Sequence, residues 1–197
     1  MRILITGSTG FIGTELSKVL KDKDVMGTGS ENEQTPIIPQ VLWFYPEVAK
    51  IDCFIHLAAN NDTQDLDVVK MMDVNFHRSV ALFEHFYENG CRKFIWASSG
   101  ACADNLTPYA KSKSALEYYT KSWHKDASCI GFRFSNVWNV TNNTESHKNK
   151  RASMVYQIYN QIKSGNKPVL FYGKPSRDFI EVSDVVSCID KAIDINT

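Results

Sequence analysis

Arg2-Ile3-Leu4-Ile5-Thr6-Gly7-Ser8-Thr9-Gly10-Phe11-Ile12-Gly13 decides the fold. A short apolar run meets a Gly-x-x-Gly-x-x-Gly turn, and a helical pattern follows over residues 11–21. A phosphate-binding turn needs glycine where backbone approaches a pyrophosphate and where a helix packs on a strand. The helix N-terminus then supplies N–H groups and the positive end of its dipole. Gly7, Gly10 and Gly13 stand at such positions. Their spacing is not the Gly-x-Gly-x-x-Gly of the standard fingerprint, and an ordinary tight turn is the plainer alternative. The strand before and the helix after favour cofactor binding.

Outward from this turn, strands and helices alternate. Strands are predicted over 24–28, 52–57, 93–97, 128–134 and 168–171. Leu66, Val69, Met72, Phe76, Val80, Phe83 and Tyr87 recur at three- or four-residue steps and predict one helix over 64–88. Further helices are expected over 108–124 with Pro108 in the first turn, over 152–163, and over 183–193 with Ser183 as cap. Pro36 and Pro39 make 30–40 a loop, 41–50 is an aromatic segment around Trp43, Phe44 and Tyr45, and 141–151 is a polar, basic loop. Continuous apolar strands alternating with helices mean a parallel sheet covered on both faces.

In Thr107-Pro108-Tyr109-Ala110-Lys111-Ser112-Lys113 a phenol and an ammonium stand one helical turn apart. A free tyrosine titrates near pH ~10 and becomes an acid or base only when its anion is stabilised. Lys113 has the spacing to do so, and Lys111, two residues on, points away. Ser98 and Ser99 close the strand over 93–97, where ligands of open sheets collect. A Tyr–Lys pair alone is commonly a surface pair; with the serines and the glycine turn it reads as a proton-transfer site.

These residues resemble an extended short-chain dehydrogenase/reductase of the NAD-dependent epimerase/dehydratase family. The matches are Thr6-Gly7-x-x-Gly10-Phe11-Ile12-Gly13, His56-Leu57-Ala58-Ala59, Asp73-x-Asn75, Ala97-Ser98-Ser99, Tyr109-x-x-x-Lys113, Arg133-x-x-Asn136-Val137 and Arg177-Asp178-Phe179-Ile180-x-Val182-x-Asp184. Lys70-Met71-Met72-Asp73-Val74-Asn75 and His147-Lys148, followed by Ala152-Ser153-Met154, resemble the ADP-glyceromanno-heptose 6-epimerase branch most. The resemblance implies a Rossmann-type doubly wound parallel sheet over 1–135. A small, reduced substrate-binding portion would follow over 136–197, its last helix packing back on the first domain. It also implies a nucleotide-sugar epimerase working by transient hydride transfer to a tightly held NADP or NAD. Gly7, Thr9, Gly10, Phe11, Ile12, Gly13, Leu57, Ala58, Ala59, Asn75, Ala97, Tyr109 and Lys113 would hold the cofactor. Ser99 would bind the reacting oxygen, Tyr109 would be acid/base, and Lys113 would lower the pKa of Tyr109. Lys148, or Lys150 after a small shift, would be a second base. Asn75 would support the active-site helix, and Asn136 and Arg177 would face the nucleotide-sugar. A reductase, a dehydratase or a non-catalytic descendant are the alternatives; dehydratases of the group carry Thr-Asp-Glu where Ser99-Gly100-Ala101 stands.

The chain departs from the family in a short 100–106 connection, in Asn136-Val137-Trp138-Asn139-Val140, in the lack of a clear third strand before Ile51, and in a shortened C-terminal part. The second strand leads to Gly27-Thr28-Gly29-Ser30 with no acid until Glu31, which leans toward NADP. The 197 residues carry 22 basic and 22 acidic side chains, so no nucleic-acid footprint or polybasic membrane patch is expected. The opening apolar run is too short for a signal peptide, no stretch approaches a membrane span, and five scattered cysteines fit reduced thiols in cytosol. A metal site is not expected, and homo-oligomerisation stays open.

Overall fold

The computed structural model describes residues 1–29, 50–140, 145, 152–169, 172–173 and 176–195. Five parallel strands form one sheet: β1 (Arg2–Thr6), β2 (Asp24–Thr28), β3 (Cys53–His56), β4 (Lys93–Ser99) and β5 (Ser128–Phe134), in the order β2-β1-β3-β4-β5. The chain runs outward from β1 to β2 and then returns to place β3 on the other flank of β1. The direction therefore reverses beside β1, and in open α/β sheets the ligand crevice lies at the strand ends there.

Period-two alternation gives the three inner strands, β1, β3 and β4, two buried faces. Ile3, Ile5, Cys53, Ile55 and Ile95 face α1 (Phe11–Val19) and α6 (Val182–Asp194). Leu4, Phe54, Phe94 and Trp96 face α3 (Arg78–Glu88) and α4 (Pro108–Lys121), packing on Leu82, Phe83, Phe86 and Leu116. This is the doubly wound parallel α/β sheet expected from the strand–helix alternation. α2 (Val68–Met72) precedes α3, α5 is Met154–Lys163, and β6 (Val137–Trp138) pairs in parallel with β7 (Ile180–Glu181). Lys93, at the start of β4, donates to the Ile193 carbonyl and, at 2.9 Å, to that of Ile195, closing the C-terminal end of α6. No described helix is long and apolar enough to cross a membrane. All five cysteines are unpaired, with Cys53, Cys91 and Cys102 buried.

Several local expectations are corrected. The single helix over 64–88 is three pieces. It starts at Val68, because the Asp67 carboxylate caps the Lys70 N–H at 2.9 Å, and Leu66 and Val69 stay exposed. A π-helical turn, Asp73–His77, then separates α2 from α3. The last helix begins at Val182, so Ser183 lies inside it and donates to Glu181 instead of capping it. Pro168 and Val169 are not in a strand; Leu170 and Phe171 lie outside the described residues. The aromatic segment around Trp43, the 30–40 loop, and Lys148 and Lys150 also lie outside them. From the polar loop, Glu145 is described, and it is fully buried. Its carboxylate accepts from the N–H groups of Asn139 (3.0 Å) and Ser153 (2.6 Å) and from the Ser153 hydroxyl (2.8 Å), which anchors the start of α5.

Gly7 has φ +73°, and a Cβ there would lie 2.7 Å from the Ala58 nitrogen. Gly7→Ala combines a left-handed backbone with that collision, so it is expected to lower unfolding free energy by about 1–3 kcal/mol, read by urea denaturation.

Candidate active site

The C-terminal ends of β1, β3 and β4 converge on one rim. At β1, the carbonyl of Thr28 accepts from the N–H groups of Gly7 (2.7 Å) and Ser8 (3.1 Å), so the end of β2 fixes the glycine turn. Gly13 is buried, and a Cβ there would sit 2.7 Å from Ser8 Cα; only glycine lets α1 start this close to the turn. Gly10 is the exposed N-cap of α1 and offers no side-chain acceptor to the first helical turn, which also lacks an acid. Thr9 is exposed and Ile12 half-buried beside it, whereas Phe11 is buried in the core. This glycine turn at a helix N-terminus fits a dinucleotide pyrophosphate.

Across the crevice, Leu57 donates its N–H to the Thr6 carbonyl at 3.0 Å, and the half-buried Leu57, Ala58 and Ala59 run past Gly7. Asn75 holds this segment. Its Oδ1 accepts from Asn60 N–H at 2.7 Å, and its Nδ2 donates to the Asn60 carbonyl at 2.8 Å and to Ser112 Oγ at 3.1 Å. Ser112 in turn donates to the Tyr109 carbonyl at 2.7 Å. One buried amide in the π turn thus ties the rim of β3 to the helix that carries Tyr109; such turns often mark functional sites.

Beneath it, proton positions are forced. Ser79 donates to the Asn75 carbonyl (2.9 Å), so His56 Nε2 carries the hydrogen it shares with Ser79 Oγ (2.8 Å), and His56 Nδ1 accepts from Thr6 Oγ1 (2.7 Å). His56 is therefore a neutral core residue. Burial first, and the Lys113 ammonium second, push its pKa down to about 3.

Tyr109, Lys113, Ser99 and Ala97 come together where α4 meets the end of β4. Lys113 is 2% exposed and donates from Nζ to the Ala97 carbonyl at 2.8 Å. Burial lowers its pKa to about 8, so it stays mostly protonated at neutral pH. Burial raises the Tyr109 phenol above its ordinary value, and a hydrogen bond from Ser99 pulls it partway back.

The two serines separate cleanly. Arg133 holds the Glu117 carboxyl below the ordinary carboxylate range, so Glu117 is ionised and can only accept. The Ser98 hydroxyl is buried and donates to it. Ser99 Oγ accepts from Ala101 N–H at 3.2 Å and keeps its own hydrogen for the phenol side. Asn136, at φ +42° just beyond β5, donates from Nδ2 to the Asp178 carbonyl at 2.8 Å, which brings it beside Arg177. Arg177 is exposed, with Nη1 on the Ser176 carbonyl at 2.9 Å. Sequence reasoning missed Glu117 and Ser112, although Glu117 continues the Tyr109–Lys113 spacing by one further step of four.

A doubly wound parallel sheet with this turn and this tyrosine–lysine–serine corner defines a nicotinamide-dinucleotide-dependent protein of the Rossmann type. The profile of the NAD dependent epimerase/dehydratase family matches residues 3–196, and the chain belongs to that family. It is similar to the Helicobacter pylori ADP-L-glycero-D-manno-heptose-6-epimerase structure, at TM-score 0.81 and 24% identity over 98% of this chain and 73% of that one. It is similar to a Methanobrevibacter ruminantium UDP-N-acetylglucosamine 4-epimerase, at TM-score 0.79 and 24% identity over 99% and 74%. The Bordetella bronchiseptica enzyme WbmH, solved with NAD+, matches at TM-score 0.73 and 20% identity over 98% and 72%.

His56 gives a pH signature. Its folded pKa lies below the unfolded value of about 6.5, so the unfolded chain binds the extra proton between those pH values. The His56 contribution is complete above about pH 6.5 and is lost as pH falls, at up to about 1.4 kcal/mol per pH unit. Urea unfolding from about pH 7.5 to 5 should show a shallower slope for His56→Gln than for the wild type; equal slopes would mean the ring is not buried neutral.

Proposed function

We propose that the chain is a nucleotide-sugar epimerase that works by transient oxidation at a hydroxyl-bearing carbon. The observation that carries this reading is the corner where Ser99, Tyr109 and Lys113 meet at the end of β4, across the crevice from the glycine turn. Family membership and the likeness to solved epimerases support it.

In this reading a bound nicotinamide dinucleotide would supply a reversible hydride acceptor, with Gly7, Gly10 and Gly13 at its pyrophosphate. Ser99 donates to the substrate oxygen and fixes its direction. Tyr109 removes the hydroxyl proton as the carbon loses its hydrogen, and returns the proton when the hydrogen comes back to the other face. Lys113, buried and mostly charged, stabilises the phenolate. Asn75 holds the Leu57–Asn60 wall and, through Ser112, the start of α4. Asn136 and Arg177 face the nucleotide-sugar, with the guanidinium suited to a phosphate oxygen. Lys148, or Lys150 after a small shift, is assigned as a second base on the opposite face of the sugar by the family resemblance. The acid-free end of β2, Gly27-Thr28-Gly29, leans toward NADP over NAD. Residues 136–197 would form the substrate-facing part, and the enzyme would act in the cytosol.

Tyr109→Phe should lower turnover of the nucleotide-sugar by about 10²–10⁴-fold while cofactor content, measured by mass spectrometry of the released dinucleotide, stays at the wild-type level. Turnover that survives the substitution removes Tyr109 from the acid/base role. Gly10→Val should do the reverse and empty the protein of cofactor, because the new side chain fills the space that the pyrophosphate needs. Wild-type protein that retains cofactor but turns over no nucleotide-sugar, ADP-heptose included, would be a binding protein. Net consumption of reduced cofactor would make it a reductase.

A further inference from the structure

One stripe of α4 carries Tyr109, Lys113 and Glu117 at successive steps of four residues. Each meets the end of β4. Tyr109 engages Ser99, Lys113 the Ala97 carbonyl, and Glu117 the Ser98 hydroxyl. The first two are part of the proposed machinery, and Glu117 has no place in it yet.

Glu117 gathers four elements at one point. From β5, Arg133 delivers a two-pronged contact, Nε to Oε1 at 2.7 Å and Nη2 to Oε2 at 2.5 Å. From β4, Ser98 donates its hydroxyl to the same Oε1. From the 3₁₀ turn Gly100–Ala103, which follows Ser99 directly, the Cys102 thiol reaches the carboxylate and lies 3.5 Å from Ser98 Oγ. Ser98 belongs to the α4-facing side of β4, with Phe94 and Trp96. Once it is fastened there, the 98–99 peptide is fixed, and so is the angle at which the next hydroxyl leaves the strand.

We propose that Arg133 and Glu117, acting through Ser98, are positioning residues that aim the Ser99 hydroxyl at Tyr109 and the substrate oxygen. This rests on the epimerase reading for its chemistry, and on the hydrogen bonds alone for its geometry. Neither residue touches the reacting atoms. Arg133 is largely exposed, and exposed ion pairs add little to stability. A planar fork nevertheless fixes a carboxylate in orientation, and a third donor on that carboxylate inherits the orientation.

The test uses the full chain with its cofactor. Ser98→Ala cuts the link and leaves the Arg133–Glu117 pair whole, while Glu117→Gln keeps the shape but turns an amide donor toward the guanidinium. Tyr109 ionisation is followed by tyrosinate absorbance, with Tyr109→Phe as the blank, beside kcat, KM and melting temperature. The titratable neighbours of the phenol, Lys113 on α4 and Cys102 on the 3₁₀ turn, are unchanged in both variants. Both variants should shift Tyr109 ionisation upward by about one pH unit as the Ser99 hydrogen bond loosens. At neutral pH kcat should fall about tenfold, with KM within about twofold and melting temperature and cofactor content unchanged. A folded Ser98→Ala protein with wild-type Tyr109 titration and kcat overturns the proposal. If Glu117→Gln fails to fold, Ser98→Ala decides alone. Should the wild type turn over no nucleotide-sugar, the epimerase reading fails, and the tyrosinate titration still decides the positioning role.

Discussion

A buried ammonium resting on a main-chain carbonyl organises this molecule. Lys113 is almost wholly removed from solvent, and its hydrogen bond to Ala97 compensates part of the cost of burying that charge. The contact fixes the rotation of α4 against β4. With Lys113 set, Tyr109 one turn before it reaches Ser99, and Glu117 one turn after it reaches Ser98. The same charge also acts downward. It helps keep His56 neutral, so the polar layer under the rim carries no second cation.

That layer is continuous. Thr6 on β1, His56 on β3 and Ser79 on α3 pass hydrogen bonds in one direction to the Asn75 carbonyl. The Asn75 amide then passes them on to Asn60 and Ser112. The glycine turn and the tyrosine corner are thus not two independent ends of a sheet. A buried polar network in which each member is satisfied costs little and specifies one arrangement, and here that arrangement sets the width of the crevice.

Much of this could be read from residues alone, because it depended on period and spacing. Ile3, Leu4 and Ile5 alternate between two cores as a doubly covered strand must, and Gly7, Gly10 and Gly13 announced a close approach that the Cβ distances explain. Tyr109 and Lys113 share a helical stripe as their spacing required. Other features depended on competition between local and tertiary forces. Leu66 and Val69 keep helical period yet lie in water, since the Asp67 cap, and not apolar pattern, sets where α2 starts. The π turn at Asp73–His77 leaves no trace in periodicity because it shifts the frame by a single residue. Ser98 and Ser99 are adjacent and chemically alike, and Glu117, nineteen residues beyond Ser98, is what fastens the first and leaves the second free of that carboxylate. Glu145 reads as part of a solvated loop and is instead a buried anchor for α5. The two-residue strands β6 and β7 are too short to carry any pattern.

The packing of α6 has a consequence for biogenesis. Ile3 and Ile5 leave the ribosome long before Val185, Val186, Ile189 and Ile193, which help cover that side of the sheet. Lys93 likewise waits about a hundred residues for the carbonyls of Ile193 and Ile195. A nascent chain that has not yet made α6 can close its aromatic side against α3 and α4 but has only α1 over the aliphatic side, and the part left open is the kind of surface that chaperones hold and that aggregates when they do not.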